Sequence, residues 1–195
     1  MPLLILLLCI WPIGSRPFYN FGVCITELRD GLIHVLHAEE YHSDYDTMIE
    51  TAINLLHKYQ MTFDSGSRIF VDGANPEVIR SLKSRLYEDT EYQEQIDRWK
   101  SENGANMITL KWLSNNMFVL PVNFSRYHKE MLAHTKKLME YDGGAIAISS
   151  KHNKLITALH TAVEKGEGSL DKEVTSYDDV FDAFRLSLQR WQSKG

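Results

Sequence analysis

A chain of 195 residues with 44% hydrophobic content is long enough to bury one sizeable core, which excludes a disordered tail or a coiled coil. Its formal charge of −5 and isoelectric point near 5.9 exclude a global positive field, so any contact with nucleic acid has to be local. Two cysteines, Cys9 and Cys24, make neither a disulfide framework nor a zinc spacing, and read as free thiols packed in strands in a reducing compartment.

Leu3 to Ile10 is an unbroken apolar run between Pro2 and Pro12. It is too short to span a bilayer, has no Lys or Arg ahead of it and no A-x-A site behind it, and predicts a central strand rather than a signal peptide. Phe21 to Leu28 and Leu32 to Ala38 predict two more strands joined at Asp30-Gly31, a tight-hairpin signal, so the first three strands form an antiparallel meander. His34 and His37, at odd spacing on the third strand, are expected on opposite faces with no shared metal. From Asp44 or Asp46, the residues Met48, Ala52, Leu55, Leu56 and Tyr59 trace a helix to about Gln60.

Ile69 to Val71 predict a short buried strand ended by Asp72-Gly73, and Asn75-Pro76 opens a helix with Asn as cap and Pro at its first position. Residues 90 to 116, with Tyr92, Ile96, Trp99 and Trp112 among polar residues, predict an added helix and a variable loop. Met117 to Val122 predicts a strand, Ser125 the cap of a helix running to about Tyr141, Gly143-Gly144 its end, Ala145 to Ser149 a last strand, and Asn153 to Lys165 a further helix. The chain closes on a helix beginning near Ser176, where Val180, Phe181, Phe184, Leu188 and Trp191 recur as one apolar stripe.

Two places carry chemistry. Asp72 ends a strand that passes through a short loop into a helix, and ligands of such sheets bind at the strands' carboxyl ends; the same Asp-Gly pair also reads as a plain turn. Asp179 and Asp182 stand three apart on one helix face, with Asp178 beside them. They read either as helix capping, since Ser176 with Asp179 fits the S-x-x-D/E pattern, or as ligands of a hard divalent cation. The basic groups Arg126, Lys129, Lys136 and Lys137, and the pair Lys151 and Lys154, read as solvated helix faces or as contacts to a nucleic-acid backbone. Lys172, just ahead of the acidic helix, could approach a phosphate there. No G-x-S-x-G elbow or Cys-His pattern points to nucleophilic catalysis.

The order of these elements, with Val71-Asp72-Gly73 and Asp178-Asp179-Val-Phe-Asp182-Ala183, resembles the ribonuclease H-like fold. That is an α/β mixed sheet of three antiparallel strands, then strands alternating with helices, with helices on both faces. Within it, Val119-Leu-Pro-Val-Asn-Phe124, Lys154-Leu-Ile-Thr-Ala-Leu159 and Leu170-Asp-Lys172 resemble the nuclease domain of phage terminase large subunits, and Asp179-x-x-Asp182-Ala183 is also similar to RuvC-type resolvases. The resemblance implies one nuclease domain over residues 1–195, with 90–116 as an insertion. It implies a metal-dependent endonuclease that cuts viral DNA concatemers during genome packaging, in the cytoplasm of a host cell.

In that family two divalent cations, Mg²⁺ or Mn²⁺, are held by an acid on the first strand, one at the end of the fourth, and acids on the last helix. Asp72 matches the second of these and Asp179 the third, with Asp178 and Asp182 as auxiliary ligands; Asp72, Asp179 and Asp182 are then the catalytic set. Lys151, Lys154 and Lys172 are the implied DNA contacts. Double-stranded DNA is the implied partner, with a separate terminase ATPase motor, a small terminase subunit or the portal as protein partners, and no membrane.

Two departures qualify the match. Trp11 stands where the first-strand acid is expected, and indole offers Mg²⁺ no oxygen; residues 1–20 match the family poorly, as a mis-started or frameshifted segment would. Glu27, Glu39 and Glu40, on the adjacent strands, could substitute only where strand face as well as distance agrees. No G-x-x-x-x-G-K-[ST] phosphate loop occurs, so the chain reads as a separated nuclease half or a fragment. An active nuclease, a catalytically silent DNA- or partner-binding domain of the same fold, and a resolvase- or transposase-like nuclease therefore all stay open.

Overall fold

The computed structural model describes residues 2–7, 18–61, 67–104, 119–141, 144–166 and 169–191. Cys9, Trp11, Trp112, Gly143, the predicted strand beyond Leu7 and the predicted loop from 105 to 116 lie outside the described residues. In chain order the elements are β1 (Pro2–Leu7), β2 (Phe18–Arg29), β3 (Leu32–Asp44), α1 (Tyr45–Lys58), β4 (Ile69–Asp72), α2 (Pro76–Glu88), α3 (Thr90–Asn103), β5 (Val119–Val122), α4 (Phe124–Met139), β6 (Ile146–Ile148), α5 (Asn153–Thr161) and α6 (Asp178–Ser187).

The strands form one sheet in the order β5-β4-β1-β2-β3-β6. The first three pair antiparallel, as the Asp30-Gly31 hairpin predicts; both turn residues take the left-handed backbone, with φ of 52° and 81°. The remaining pairings, β1 with β4, β4 with β5 and β3 with β6, are parallel. The apolar run near the N-terminus is thus a central strand, hydrogen-bonded on both sides.

β2 shows how one strand serves two cores. Phe21, Val23 and Ile25 pack with α1, α2 and α3, while Cys24 on the other face packs with α4, α5 and α6. Cys24 is fully buried, and burial pushes its thiol up to about 12, so it behaves as a small apolar residue. α1 buries Met48, Ile49, Ala52, Leu55 and Leu56, and α2 buries Val78, Ile79, Leu82 and Leu86, each a single stripe at helical spacing. Tyr92 and Ile96 of α3 join the same core, so the added helix is packed rather than peripheral.

Gly22 fixes where α6 can sit. A β-carbon there would fall 2.7 Å from the Val180 nitrogen and closer still to the Asp179 carbonyl. The first turn of α6 therefore rests directly on the backbone of β2, an approach that only glycine allows.

Several expected boundaries move. Asn123, not Ser125, caps α4, its Oδ1 accepting from the Arg126 nitrogen at 3.0 Å. α5 ends at Thr161 rather than Lys165, and α6 begins at Asp178 with Tyr177 as its N-cap. A bulge opposite Ile25 and Thr26 interrupts β3 at Leu36. It resets the alternation, so that Ile33, Val35 and Ala38 share the α6 side while His34, Leu36 and His37 share the side of Tyr59, against the expectation of opposite faces for the two histidines. His37 donates to or accepts from the Tyr41 hydroxyl at 2.9 Å, and its burial lowers it to about 4.

At the far side of α1, His57 meets Asp89 at 3.0 Å and Glu91 at 2.5 Å, tying the end of α1 to the start of α3. Desolvation pulls the His57 pKa down, but its hydrogen bonds to the two carboxylates outweigh this and raise it above 6.5. The contribution is thus fully present below the ordinary histidine range and fades as pH rises through the raised value. We expect His57→Gln to lower the melting temperature relative to the parent at about pH 5 and to match it at about pH 8; a pH-independent gap would refute the linkage.

Gly22→Ala is expected to cost at least about 2 kcal/mol in urea unfolding, because the clash is with backbone rather than with a movable side chain.

Candidate active site

Every strand that feeds the candidate site delivers its residues to the same end of the sheet. The carboxyl ends of β1, β4 and β5 lie there, with the start of antiparallel β2 and the late residues of β3. Asp72 is the last residue of β4 and is half-buried. Burial raises its pKa; backbone donors at Ala74 and Phe124 oppose this, the Asp182 charge adds to the rise, and Lys172 opposes it. Its Oδ1 accepts from the Ala74 nitrogen at 3.1 Å, so Asp72 makes the local turn and also lies in the field of the acidic helix.

α6 differs from an ordinary amphipathic helix in having no solvated face through its length. All residues from Asp179 to Ser187 are buried. Ser176 is not the N-cap and Tyr177 makes no side-chain cap bond, so the S-x-x-D/E pattern is not used, but Asp178 and Asp179 do lie in the first turn, where the helix dipole favours acids. Tyr177 has a left-handed backbone, φ 55°, which turns the chain into the helix at a cost of roughly 1 kcal/mol or more for a non-glycine residue. Its exposed ring lies 6.0 Å from the Lys154 ammonium.

The charges on α6 are met from within the chain. Asp182 is 0% exposed; its Oδ1 accepts from Arg185, itself 0% exposed, whose guanidinium lies 5.2 Å and 5.1 Å from the Phe124 and Phe181 rings. Lys172 stands 3.0 Å from Asp182 Oδ2 and 3.1 Å from Asp178 Oδ2. The contact at Asp182 is one of charge, for Oδ2 lacks a hydrogen-bond donor among the described residues.

Of the three glutamates on the adjacent strands, Glu40 meets the requirement of strand face. By register Glu40 is level with Gly22, over which Asp179 lies, and the Leu36 bulge brings it to the α6 side with Ala38. Burial, then the charges of Asp179 and Asp178, raise Glu40 to about 7. The missed signal is the bulge, which has no signature in the sequence. Glu39 pairs with Lys154, whose ammonium also donates to the Glu40 carbonyl at 2.9 Å. Glu27 is paired with Pro2 at the opposite end of β1 and is far from the site. Lys151 lies apart, lining a hollow with Arg29, His34 and Ser149. On β1, the position next in register toward Asp72 is Leu7; Trp11 is four residues further on, outside the described residues.

The donors are hard carboxylate oxygens, and a fully buried Asp182 oxygen without a hydrogen-bond donor fits a cationic ligand. In the arrangement observed, Lys172 and Arg185 supply that positive charge, and among the described residues no three His, Cys, Asp or Glu side chains are grouped to hold a metal ion.

A six-stranded sheet ordered β6-β3-β2-β1-β4-β5 with helices on both faces is a ribonuclease H-like fold. No family model and no curated protein matches the chain by sequence. Among solved structures, the nuclease domain of the g2p large terminase from bacteriophage SPP1, determined with bound Mn, matches with a TM-score of 0.50 at 16% identity, over 98% of this chain and 86% of that one. The large terminase of a thermophilic bacteriophage matches with a TM-score of 0.48 at 13% identity over 94% of this chain, which spans 39% of that protein. The fold is that of a phage terminase nuclease domain. No helix among the described residues is long and apolar enough to cross a membrane.

Removing Arg185 strands a buried carboxylate. Arg185→Met is expected to cost about 3–5 kcal/mol in urea unfolding, and the double change Arg185→Met with Asp182→Leu clearly less; a double cost equal to the sum of the Arg185→Met and Asp182→Leu costs would mean the pair is not coupled.

Proposed function

We propose that this chain is a terminase-type DNA endonuclease domain that depends on divalent cations and cuts concatemeric viral DNA during packaging. The observation that carries the reading is Asp72 at the carboxyl end of β4, close enough to the acidic helix to feel the Asp182 charge, in a ribonuclease H-like sheet. The bound Mn in the structure of the SPP1 domain, which shares this fold, agrees with it.

Asp72 and Asp179 are the principal metal ligands on this reading, Asp178 and Asp182 the auxiliary ones, and Glu40 supplies the carboxylate that Trp11 cannot. Two Mg²⁺ or Mn²⁺ ions, when bound, supply Lewis acidity toward a scissile phosphate and an activated water. The protein's part is to bury carboxylates and bring them near one another; burial, and after it the Asp179 and Asp178 charges, raise Glu40. Lys154, on α5 beside β3, would meet a backbone phosphate near the acids, while Lys151, on the loop before α5 and apart from them, would meet the duplex only farther along. The protein partners on this reading are a terminase motor, a small subunit or the portal.

The internal ion pairs of Lys172 and Arg185 favour a second reading, a domain of this fold that binds DNA or a packaging partner without cutting it.

Plasmid nicking in Mn²⁺ or Mg²⁺ decides between them. We expect metal-dependent nicking by the chain, a fall of about a hundredfold or more with Asp72→Ala or Asp179→Ala, and a smaller fall with Glu40→Gln. Failure of the parent chain to nick in either metal while still shifting duplex DNA on a gel would establish the silent reading. A preference for four-way junctions over linear duplex would place the chain with resolvases.

A further inference from the structure

Lys172 and Arg185 both neutralise the acidic helix, but they do so in different ways. Arg185 is closed into the core between two aromatic rings, a fixed part of the fold. Lys172 is 46% exposed and reaches Asp178 and Asp182 on a flexible four-carbon stem from the turn ahead of α6.

The backbone of that turn is held independently of the lysine. Asp171 accepts from the Thr175 nitrogen at 3.0 Å and from the Thr175 hydroxyl at 2.6 Å through its carbonyl, and from the Glu173 nitrogen at 3.1 Å through its carboxylate. The Leu170 nitrogen donates to His128 at 3.3 Å. The Lys172 side chain can therefore swing away without unfolding what carries it. What it would leave behind is Asp182 Oδ2, buried and with no hydrogen-bond donor among the described residues, and the Asp178 carboxylate beside it.

We propose that Lys172 is a built-in counter-cation that holds the Asp178 and Asp182 carboxylates in the metal-free protein, and that a divalent ion entering the site displaces it. The inference rests on the metal-binding reading given above. It makes Lys172 a gate on ion affinity: the ammonium satisfies charges that would otherwise repel, and it must be removed before the same oxygens can ligate anything else.

Isothermal titration of the DNA-free protein with Mn²⁺ tests this, using the parent chain, Lys172→Met, Lys172→Arg and Asp72→Asn. Circular dichroism confirms folding of each. Lys172→Met is expected to bind Mn²⁺ about tenfold or more tightly than the parent. Its melting temperature should fall without metal and recover with Mn²⁺. Lys172→Arg should stay close to the parent. Equal affinity for parent and Lys172→Met, with binding lost in Asp72→Asn, would overturn the gate while leaving the metal site standing. Weaker binding by Lys172→Met would overturn it by showing that the lysine assists the ion. Absence of Mn²⁺ binding in both parent and Lys172→Met would overturn the metal reading and the gate together.

Discussion

The acidic helix can lie on the sheet only because β2 has no side chain at Gly22. With any β-carbon there, α6 would have to rise by more than an ångström or slide, since the atoms it meets are the Asp179 carbonyl and the Val180 nitrogen. Either displacement would carry Asp179 and Asp182 away from Asp72, which belongs to a different strand and cannot follow. The same contact explains the burial of α6 on all sides: a helix resting on bare backbone sinks deeper than one held off by side chains. Val180, Ala183, Phe184 and Leu186 then fill the core with no exposure left.

Depth creates the electrostatic problem that the rest of the site answers. Asp182 lies on the buried face, where an uncompensated carboxylate would cost several kcal/mol. Arg185, one turn on, supplies the compensation, and Phe124 at the start of α4 supplies a ring for its guanidinium. Phe124 also brings its backbone nitrogen to Asp72, so a single helix start serves both acids. Charge pairing and acid placement therefore share one helix start.

What was legible in the sequence was whatever repeats or caps. The hairpin at Asp30-Gly31, the helical stripes of α1 and α2, the Asp72-Gly73 strand end and the apolar stripe of α6 all have local signatures, and with them the antiparallel meander of the first three strands could be anticipated. Tertiary effects were not legible. Ser176 looks like a cap, but the chain enters α6 through a left-handed Tyr177. Ser125 looks like a cap, but Asn123 is nearer the strand end and has the longer-reaching acceptor. Strict alternation from Ile33 and Val35 would put Glu39 on the α6 side and Glu40 away from it. One extra residue at Leu36 exchanges them, and bulges leave no periodic trace.

The exchange also limits how Glu40 can work. Asp72 and Glu40 lie on strands separated by β1 and β2, three spacings of about 4.8 Å, or roughly 14 Å between backbones. Side chains reaching inward from both ends still leave their carboxylates too far apart to share one ion, whose oxygen ligands stand about 2.1 Å away. An acid on β1 would have closed that span from the middle. With Leu7 next in register there, what covers the middle among the described residues is Asp179, over Gly22. Glu40 and Asp72 can thus belong to one centre only if two ions about 3.5–4 Å apart lie between them and Asp179 joins the two. The chemistry of the strand end consequently hangs on the first turn of α6, and through it on the absence of a side chain at Gly22.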